Sequence, residues 1–282
     1  MPEYDPVAPP VALTVAGSDS GGGAGIQADL TAMTAHGVFG TSVVTATTAQ
    51  HTRGVEDVHP LPADHVASQY AAVAGDFAVD AVKTGMLATA EIVARVTELV
   101  ADADAPLVVD PVMVAATGDR LLSPAAEDAY EDLVAAATLV TPNADEAAVL
   151  TDEPVESPAD AEAAGRELVR LGADAALVKG GHLDGESVEE GVVVDTLVRA
   201  GGERGGSSDP TVDRFETPRI DTEATHGSGC ALSSAIAARL ARGEPLAEAV
   251  GAAVEGMTEA VRRGYDVGEG SGAVNPTALG EE

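Results

Sequence analysis

Apolar positions along this chain follow two patterns: short runs rich in Val, Ala and Leu, and longer stretches with helical spacing. The short runs predict buried strands at residues 11–16, 42–48, 78–83, 107–110, 138–140, 175–178, 191–198 and 212–215. The longer stretches predict helices at residues 26–35, 63–74, 90–100, 124–136, 158–171, 227–242 and 245–263, and a further helix that contains Glu146 and is capped by Asn143. Strands alternating with helices predict an α/β fold with three αβα layers, in which helices cover both faces of a mostly parallel sheet.

The segments between these elements indicate one domain. There is no internal repeat and no boundary, so we predict a single domain over residues 1–282 with loose termini at 1–10 and 265–282. The small, polar residues 114–120 are typical of a mobile lid, and the Gly/Ser-rich residues 199–210 of a mobile hairpin tip.

The composition indicates how the core is built and in which compartment the protein is expected. Aromatic residues make up only 2% of the chain, so the core must consist of Val, Ala, Leu and Ile. A single cysteine excludes an internal disulfide framework. Residues 1–10 lack the pattern of a secretory signal, and no apolar run approaches the roughly 18 residues that span a membrane. We therefore expect a cytoplasmic protein that has no membrane partner.

The charge is strongly acidic, with 47 acidic and 15 basic residues and a net charge of −32. Because the α/β periodicity is strong, we interpret this as a carboxylate-rich surface suited to a cytoplasm of very high salt, where the screening length is about 3 Å at 1 M. The chain has no basic patch, so nucleic acid is not expected as a partner. Only two lysines occur, Lys83 and Lys179, and both stand beside a glycine-containing turn at the end of an apolar run.

The sequence Thr-His-Gly-Ser-Gly-Cys at residues 225–230 opens directly into a predicted helix. Amides at a helix start lack intrahelical acceptors and carry partial positive charge, so Gly227, Ser228 and Gly229 form a candidate anion hole. Cys230 follows at the position where the pKa of a thiol is expected to be lowered. The alternative is a purely structural turn with Ser228 as the N-cap.

Ligands of such sheets bind at the carboxyl ends of the strands, where the chemically distinctive residues of this chain collect. Lys179 is a candidate phosphate ligand, with a structural ion pair as its alternative. Asp110 and Glu146 are candidate Mg²⁺ ligands, directly or through water. With the anion hole and Cys230 as a base, these are the parts of a phosphoryl transferase.

Two common nucleotide motifs are not supported. Gly23 and Gly25 mimic a dinucleotide fingerprint, but the following strand leads to Gln50 without the carboxylate that would hold a ribose. A Walker loop is absent from the sequence. The six histidines show no metal-binding spacing.

Several motifs in matching order resemble those of the hydroxymethylpyrimidine/phosphomethylpyrimidine kinases, a thiamine-pathway family in the ribokinase-like superfamily. They are AGSDSGGGAGIQAD (16–29), AQHTRG (49–54), KTGM (83–86), DPVM (110–113), TPNADE (141–146), VKGGH (178–182) and THGSGC (225–230). The resemblance covers about residues 11–263. It implies ATP- and Mg²⁺-dependent phosphorylation of 4-amino-5-hydroxymethyl-2-methylpyrimidine and then of its monophosphate, by a homodimer.

The resemblance also implies roles for individual residues. The matching pyrimidine contacts are Gly17, Asp29, Gln50, Met86 and, more weakly, Val112. Asn143 and Glu146 match an element that organises Mg²⁺ and phosphate, Lys179 matches the phosphate lysine, and Gly227, Ser228 and Gly229 match the anion hole. Cys230 stands where many sugar kinases of the superfamily carry an Asp base. Ser228 replaces a commoner Thr and keeps its hydroxyl, and Gly22 departs from the usual Ser/Pro arrangement of the first loop.

Three other functions stay open at this point. The same scaffold supports a pyridoxal/pyridoxine kinase, since some relatives with a cysteine at this position accept vitamin B6. A cysteine acyl-transfer enzyme using Cys230 is a different class, although the sequence lacks an evident His–Asn partner set. A regulatory protein that binds nucleotide without turnover is the third.

Overall fold

A computed structural model describes residues 6–101, 103–113, 129–181, 183, 191–201 and 208–280. The predicted lid at 114–120, residues 124–128 of one predicted helix, and residues 202–207 of the predicted hairpin tip lie outside the described residues.

One sheet organises the described chain. Its strands are β1 (Val11–Ser18), β2 (Phe39–His51), β3 (Gly54–Pro60), β4 (Ala81–Thr84), β5 (Leu107–Val109), β6 (Leu139–Val140), β7 (Ala175–Val178), β8 (Val192–Gly201) and β9 (Ser208–Pro218). The strand order is β3-β2-β1-β4-β5-β6-β7-β8-β9. The six strands from β2 to β7 in this order are parallel, whereas β3 pairs with β2, and β8 with both β7 and β9, in antiparallel fashion.

Helices cover both faces of this sheet, which confirms the predicted three-layer α/β architecture. The helices are α1 (Gly25–Ala35), α2 (Ala63–Ala74), α3 (Ala90–Val100), α4 (Tyr130–Ala136), α5 (Ala144–Thr151), α6 (Pro158–Arg170), α7 (Ser228–Ala241) and α8 (Leu246–Arg262). α1, α7 and α8 pack on one face, and α2 to α6 pack on the other. In the part of the chain that the structure describes, no helix has the length and apolar character needed to cross a membrane.

The packing against both faces is aliphatic, as the composition requires. The large core clusters are built mainly from Val, Leu and Ala, with Tyr130 as the bulkiest fully buried side chain. α7 lies in the middle of its layer, and most of its residues are buried against the parallel strands. This burial fixes the start of α7 at the carboxyl edge of the sheet.

Two features differ from the sequence-based expectation. The strand β3 was not predicted, because its exposed, charged residues show little apolar alternation and its stability comes from pairing with β2 at the edge of the sheet. The expectation of a loose tail from 265 to 282 is wrong for residues 273–280. Val274, Ala278 and Leu279 are buried, and a 3-10 helix (Pro276–Gly280) packs against α1 and α8.

Candidate active site

A cavity of about 780 Å³ opens at the carboxyl ends of the parallel strands. It is lined by most of the residues that the sequence singled out: Gly17, Gln50, Met86, Asp110, Val112, Asn143, Glu146, Lys179, Gly227, Ser228, Gly229 and Cys230. The ends of β1 and β2, the segments that follow β4, β5, β6 and β7, and the start of α7 contribute these residues. The fold therefore brings side chains from the whole length of the chain into one pocket.

The turn at the start of α7 can be built only with glycine at its first position. Gly227 has φ +78°, and a Cβ there would lie 1.9 Å from the carbonyl oxygen of Gly23. Gly227 is the N-cap, so the alternative of a turn capped by Ser228 is wrong: Ser228 is the first helical residue, and its N–H donates to the Thr225 carbonyl. The amides of Gly229 and Cys230 follow in the first turn, where a helix offers no backbone acceptor.

Asp19 organises the neighbouring glycine loop between β1 and α1. Its carboxylate accepts hydrogen bonds from the N–H groups of Gly21 (2.8 Å), Gly23 (3.1 Å) and Ala24 (2.9 Å) and lies 3.0 Å from His226 Nε2. Sequence reasoning missed this role. An Asp two residues before a run of glycines, where its side chain can bond the backbone two residues on, is the signal that could have found it.

A side-chain amide, a methionine and a glycine line one part of the cavity. The Gln50 amide projects there, with its Nε2 3.4 Å from His226 Nε2. Gly17 and Met86 lie together at this end: the Gly17 N–H donates to the Met86 carbonyl, and a Cβ at Gly17 would lie 2.3 Å from Met86 Cε. Glycine at position 17 therefore leaves room for the methionine side chain.

The other end holds a lysine between two carboxylates. Lys179 Nζ lies 3.0 Å from Asp110 Oδ1 and 4.0 Å from Glu146 Oε2. Asn143 caps α5 as predicted, in a capping box where the Asn143 side chain accepts from the Glu146 N–H and the Glu146 side chain accepts from the Asn143 N–H, both at 2.8 Å. A Cβ at Gly229 would lie 3.1 Å from Lys179 Nζ, so the lysine ammonium and the α7 turn are in direct proximity.

Asp29 lies outside this cavity, which corrects the expectation that it contacts a pyrimidine. It has no exposed surface, and its carboxylate binds Lys83 Nζ (2.9 Å), Ser234 Oγ (2.8 Å) and Thr14 Oγ1 (2.6 Å). Every one of these partners is itself fully buried. Helix α1 turns this carboxylate toward the sheet, so Asp29 and Lys83 form an interior ion pair beneath the site.

The chain is similar to known proteins over most of its length. The family model for phosphomethylpyrimidine kinase matches residues 19–275. The chain is 48% identical over 278 residues to a hydroxymethylpyrimidine/phosphomethylpyrimidine kinase of Streptomyces coelicolor, covering 98% of each chain.

The chain belongs to the phosphomethylpyrimidine kinase family.

Two further relatives extend the comparison. The kinase is 45% identical over 273 residues to the thiamine biosynthesis bifunctional protein ThiED of Geobacter sulfurreducens, covering 96% of this chain and 53% of that protein. Its fold matches the Staphylococcus aureus pyridoxal kinase in complex with AMP-PCP and pyridoxal, with a TM-score of 0.83 and 32% identity, covering 96% of this chain and 95% of the other. Family membership confirms the resemblance found in the sequence and displaces the acyl-transfer alternative for Cys230.

Burial and neighbouring charges set the protonation of Glu146 and Lys179. Burial raises the pKa of Glu146 to about 7, and the Asp110 charge adds to this, while Lys179 and the Asn143 and Met113 N–H groups oppose it. Burial alone would lower the pKa of Lys179, but Asp110 and Glu146 raise it above its ordinary value. Lys179 therefore stays charged, and the two carboxylates lie in surroundings that favour an added cation.

The charge state of Cys230 differs from the sequence-based expectation. Burial raises the pKa of this thiol to about 11, and the charges of Asp29 and Asp110 act in the same direction. Lys83 and a hydrogen bond from the Gly25 N–H lower it, without overcoming burial. The helix start was expected to lower the pKa, and that expectation is wrong because burial of the thiol, together with the charges of Asp29 and Asp110, outweighs the groups that lower it.

The pKa of Asp19 shifts in the opposite direction to that of Cys230. Burial alone would raise the pKa of this carboxyl, but the hydrogen bonds and charge of His226 and the N–H groups of Gly21 and Ala24 lower it below its ordinary value. Asp19 is therefore a carboxylate in its role as the acceptor that shapes the glycine loop.

Proposed function

We propose that this kinase transfers the γ-phosphoryl group of ATP to the hydroxyl of 4-amino-5-hydroxymethyl-2-methylpyrimidine, and then phosphorylates the resulting monophosphate, in thiamine biosynthesis. One observation supports this assignment above the others. A glycine turn at a helix start, a lysine and the chain's sole thiol line the same cavity as a side-chain amide suited to a pyrimidine edge.

At the pyrimidine end, Gln50 can donate and accept in one plane, which matches an exocyclic amine beside a ring nitrogen. Met86 and Val112 supply apolar surface for the ring faces, and Gly17 lets the Met86 side chain approach the backbone. Asp29 contributes through the buried ion pair with Lys83 and not through a contact with the ring.

At the phosphate end, the amides of the α7 turn and Lys179 bind the oxygens of the transferring phosphoryl group. Among the described residues, no group of three or more His, Cys, Asp or Glu side chains could by itself hold a metal ion. Asp110 and Glu146 nonetheless fit Mg²⁺, which takes one or two carboxylates and completes its shell with water and substrate phosphates. When bound there, Mg²⁺ would neutralise charge on the phosphate oxygens.

Cys230 is the proposed base. As the substrate oxygen forms its bond to the γ-phosphorus, its proton passes to the Cys230 thiolate, and the bond from phosphorus to the ADP oxygen breaks. The reaction requires the ionised thiol, and Lys83 is a cation whose charge favours that form.

Lys179→Ala is expected to lower kcat/KM for ATP by roughly a hundredfold, because a charged phosphate ligand is lost. Initial rates at varied ATP measure the effect. Arg199→Ala is the matched control, since it removes a cation paired with Asp213 on the β8–β9 ribbon, outside the cavity. If Lys179→Ala had the same kcat/KM for ATP as the parent, the role of Lys179 would be only its structural ion pair with Asp110.

The assignment itself is tested by offering the pyrimidine alcohol and pyridoxal side by side with ATP and Mg²⁺. We expect strong turnover of the pyrimidine. The likeness to the pyridoxal kinase favours vitamin B6 alcohols as the second candidate substrate. Strong pyridoxal turnover without pyrimidine phosphorylation would overturn the proposal, and nucleotide binding without any turnover would indicate a regulatory binder.

We propose in addition a cytoplasmic homodimer adapted to high salt, on the basis of the net charge of −32 and the family resemblance. Because salt screens repulsion between carboxylates, the melting temperature should rise steeply between dilute buffer and multi-molar KCl. Calorimetric melts across this range measure the trend. A melting temperature that does not change with salt would refute the adaptation.

A further inference from the structure

The segment that follows α8 packs against the glycine loop between β1 and α1, the residue before α7 and the turn between β2 and β3. We name residues 265–275 the C-terminal strap. Its two ends are joined, since the Tyr265 N–H donates to the Ala273 carbonyl (2.7 Å) and the Ala273 N–H donates to the Tyr265 carbonyl (3.1 Å). The Tyr265 hydroxyl also donates to Asn275 Oδ1 at 2.6 Å. The strap is therefore a closed loop with a defined tip at residues 268–270.

The base of the strap holds the residue in front of the α7 turn. The His226 N–H donates to the Gly272 carbonyl (3.1 Å), and the His226 carbonyl accepts from the Val274 N–H (3.0 Å). A Cβ at Gly23 would lie 2.9 Å from Ala273 Cβ and 2.6 Å from His226 Cδ2. The strap, the glycine loop and the α7 turn are thus packed at backbone contact.

The tip of the strap reaches the β2–β3 turn, two residues from Gln50. The Gly270 N–H donates to Thr52 Oγ1 at 3.0 Å. A Cβ at Gly270 would lie 2.1 Å from the Thr52 carbonyl oxygen, and a Cβ at Gly268 would lie 2.3 Å from Thr52 Oγ1. A Cβ at Gly270 would collide with the backbone of the turn, and the tip is also held by the Thr52 side chain and by an ion pair between Arg53 and Glu269 at 2.7 Å.

From these contacts we infer that Thr52 and Gly270 are positioning residues for the pyrimidine. The strap ties the turn that follows the Gln50 end of β2 to the residue before α7, His226, and so fixes the Gln50 amide relative to the anion hole. This inference rests on the proposed pyrimidine substrate. Disturbing the tip should therefore raise KM for the pyrimidine and leave KM for ATP unchanged, because Lys179 and Asn143 lie on other loops.

Gly270→Ala tests the proposal by forcing the tip away from the Thr52 carbonyl. We expect KM for the pyrimidine alcohol to rise roughly ten- to a hundredfold, since small displacements of positioning groups have effects of this size. KM for ATP should stay within about twofold of the parent under the same assay. Gly256→Ala is the matched control, because a Cβ there makes only ordinary contact with Leu279 at 3.5 Å.

Thr52→Val gives a second, milder test that removes the hydroxyl acceptor of Gly270 at constant volume. It should raise KM for the pyrimidine several-fold, and Thr52→Ser, which keeps the acceptor, should restore the parent value. If Gly270→Ala does not fold, this pair decides. Equal rises in both KM values, or no change in the pyrimidine KM, would overturn the inference. A parent enzyme inactive on the pyrimidine but active on pyridoxal would instead refute the proposed function, and the positioning role would fall with it.

Discussion

Cys230→Ala is expected to reduce kcat by roughly 10²- to 10⁴-fold, the range that a positioned proton acceptor contributes. Binding of ATP should persist, because the α7 turn keeps its main-chain donors and Lys179 keeps its charge. Single-turnover rates and equilibrium nucleotide titration separate the two effects. Cys230→Ser is the matched control for packing, since it changes sulfur to oxygen in nearly the same shape while making the group a far weaker acid.

The same residue predicts a direction for the pH dependence. Burial raises the pKa of Cys230 to about 11, so only a small fraction of the thiol is ionised near neutral pH. Below that pKa the thiolate fraction increases tenfold with each pH unit, so kcat should rise between pH 7 and pH 9. In Cys230→Ser this rise should disappear. Turnover by Cys230→Ala equal to that of the parent, with an unchanged pH profile, would remove Cys230 from the mechanism.

Lys83→Met is expected to lower the free energy of unfolding by about 3–5 kcal/mol, because it leaves the Asp29 carboxylate buried without its counter-ion. Both side chains have no exposed surface, and the two charges lie 2.9 Å apart. For a chain of this size the melting temperature should fall by about 10 °C. Thermal melts of parent and variant in the same high-salt buffer measure the loss.

The double variant Lys83→Met with Asp29→Asn serves as the control. Its neutral amide can keep the hydrogen bonds to Thr14 and Ser234, so most of the lost stability should return. If Lys83→Met alone changed the free energy of unfolding by less than about 1 kcal/mol, the ion pair would not be the interior constraint described above. If the double variant were less stable than Lys83→Met alone, side-chain volume and not the unpaired charge of Asp29 would explain the loss of stability.

Local patterns in the sequence were sufficient for much of this structure. The capping box of Asn143 and Glu146 lies within four residues, and the turn at Gly227 lies directly before its helix, so each could be predicted from neighbouring residues. The mostly parallel sheet with helices on both faces was predicted from the alternation of strands and helices. These features depend on contacts between residues that are close in sequence, or on a pattern that repeats along the chain.

The errors concern contacts between distant residues. Asp29 was expected to contact the pyrimidine, but the fold brings it to Lys83 and Ser234, 54 and 205 residues away. The pKa of Cys230 depends first on burial and then on the charges of Lys83, Asp29 and Asp110, so helix position alone gave the wrong direction. The tail was expected to be loose because its glycines carry no apolar signal, yet they allow the close contact with Thr52 that holds it in place.

A crystal structure with AMP-PCP and the pyrimidine alcohol bound together would test the central claim most directly. We expect the substrate hydroxyl to lie within about 3.5 Å of Cys230 Sγ. The γ-phosphate should bind the amides of the α7 turn, and the ring edge should bind Gln50. A hydroxyl directed away from Cys230, with the γ-phosphate bound elsewhere than at the α7 turn, would contradict it.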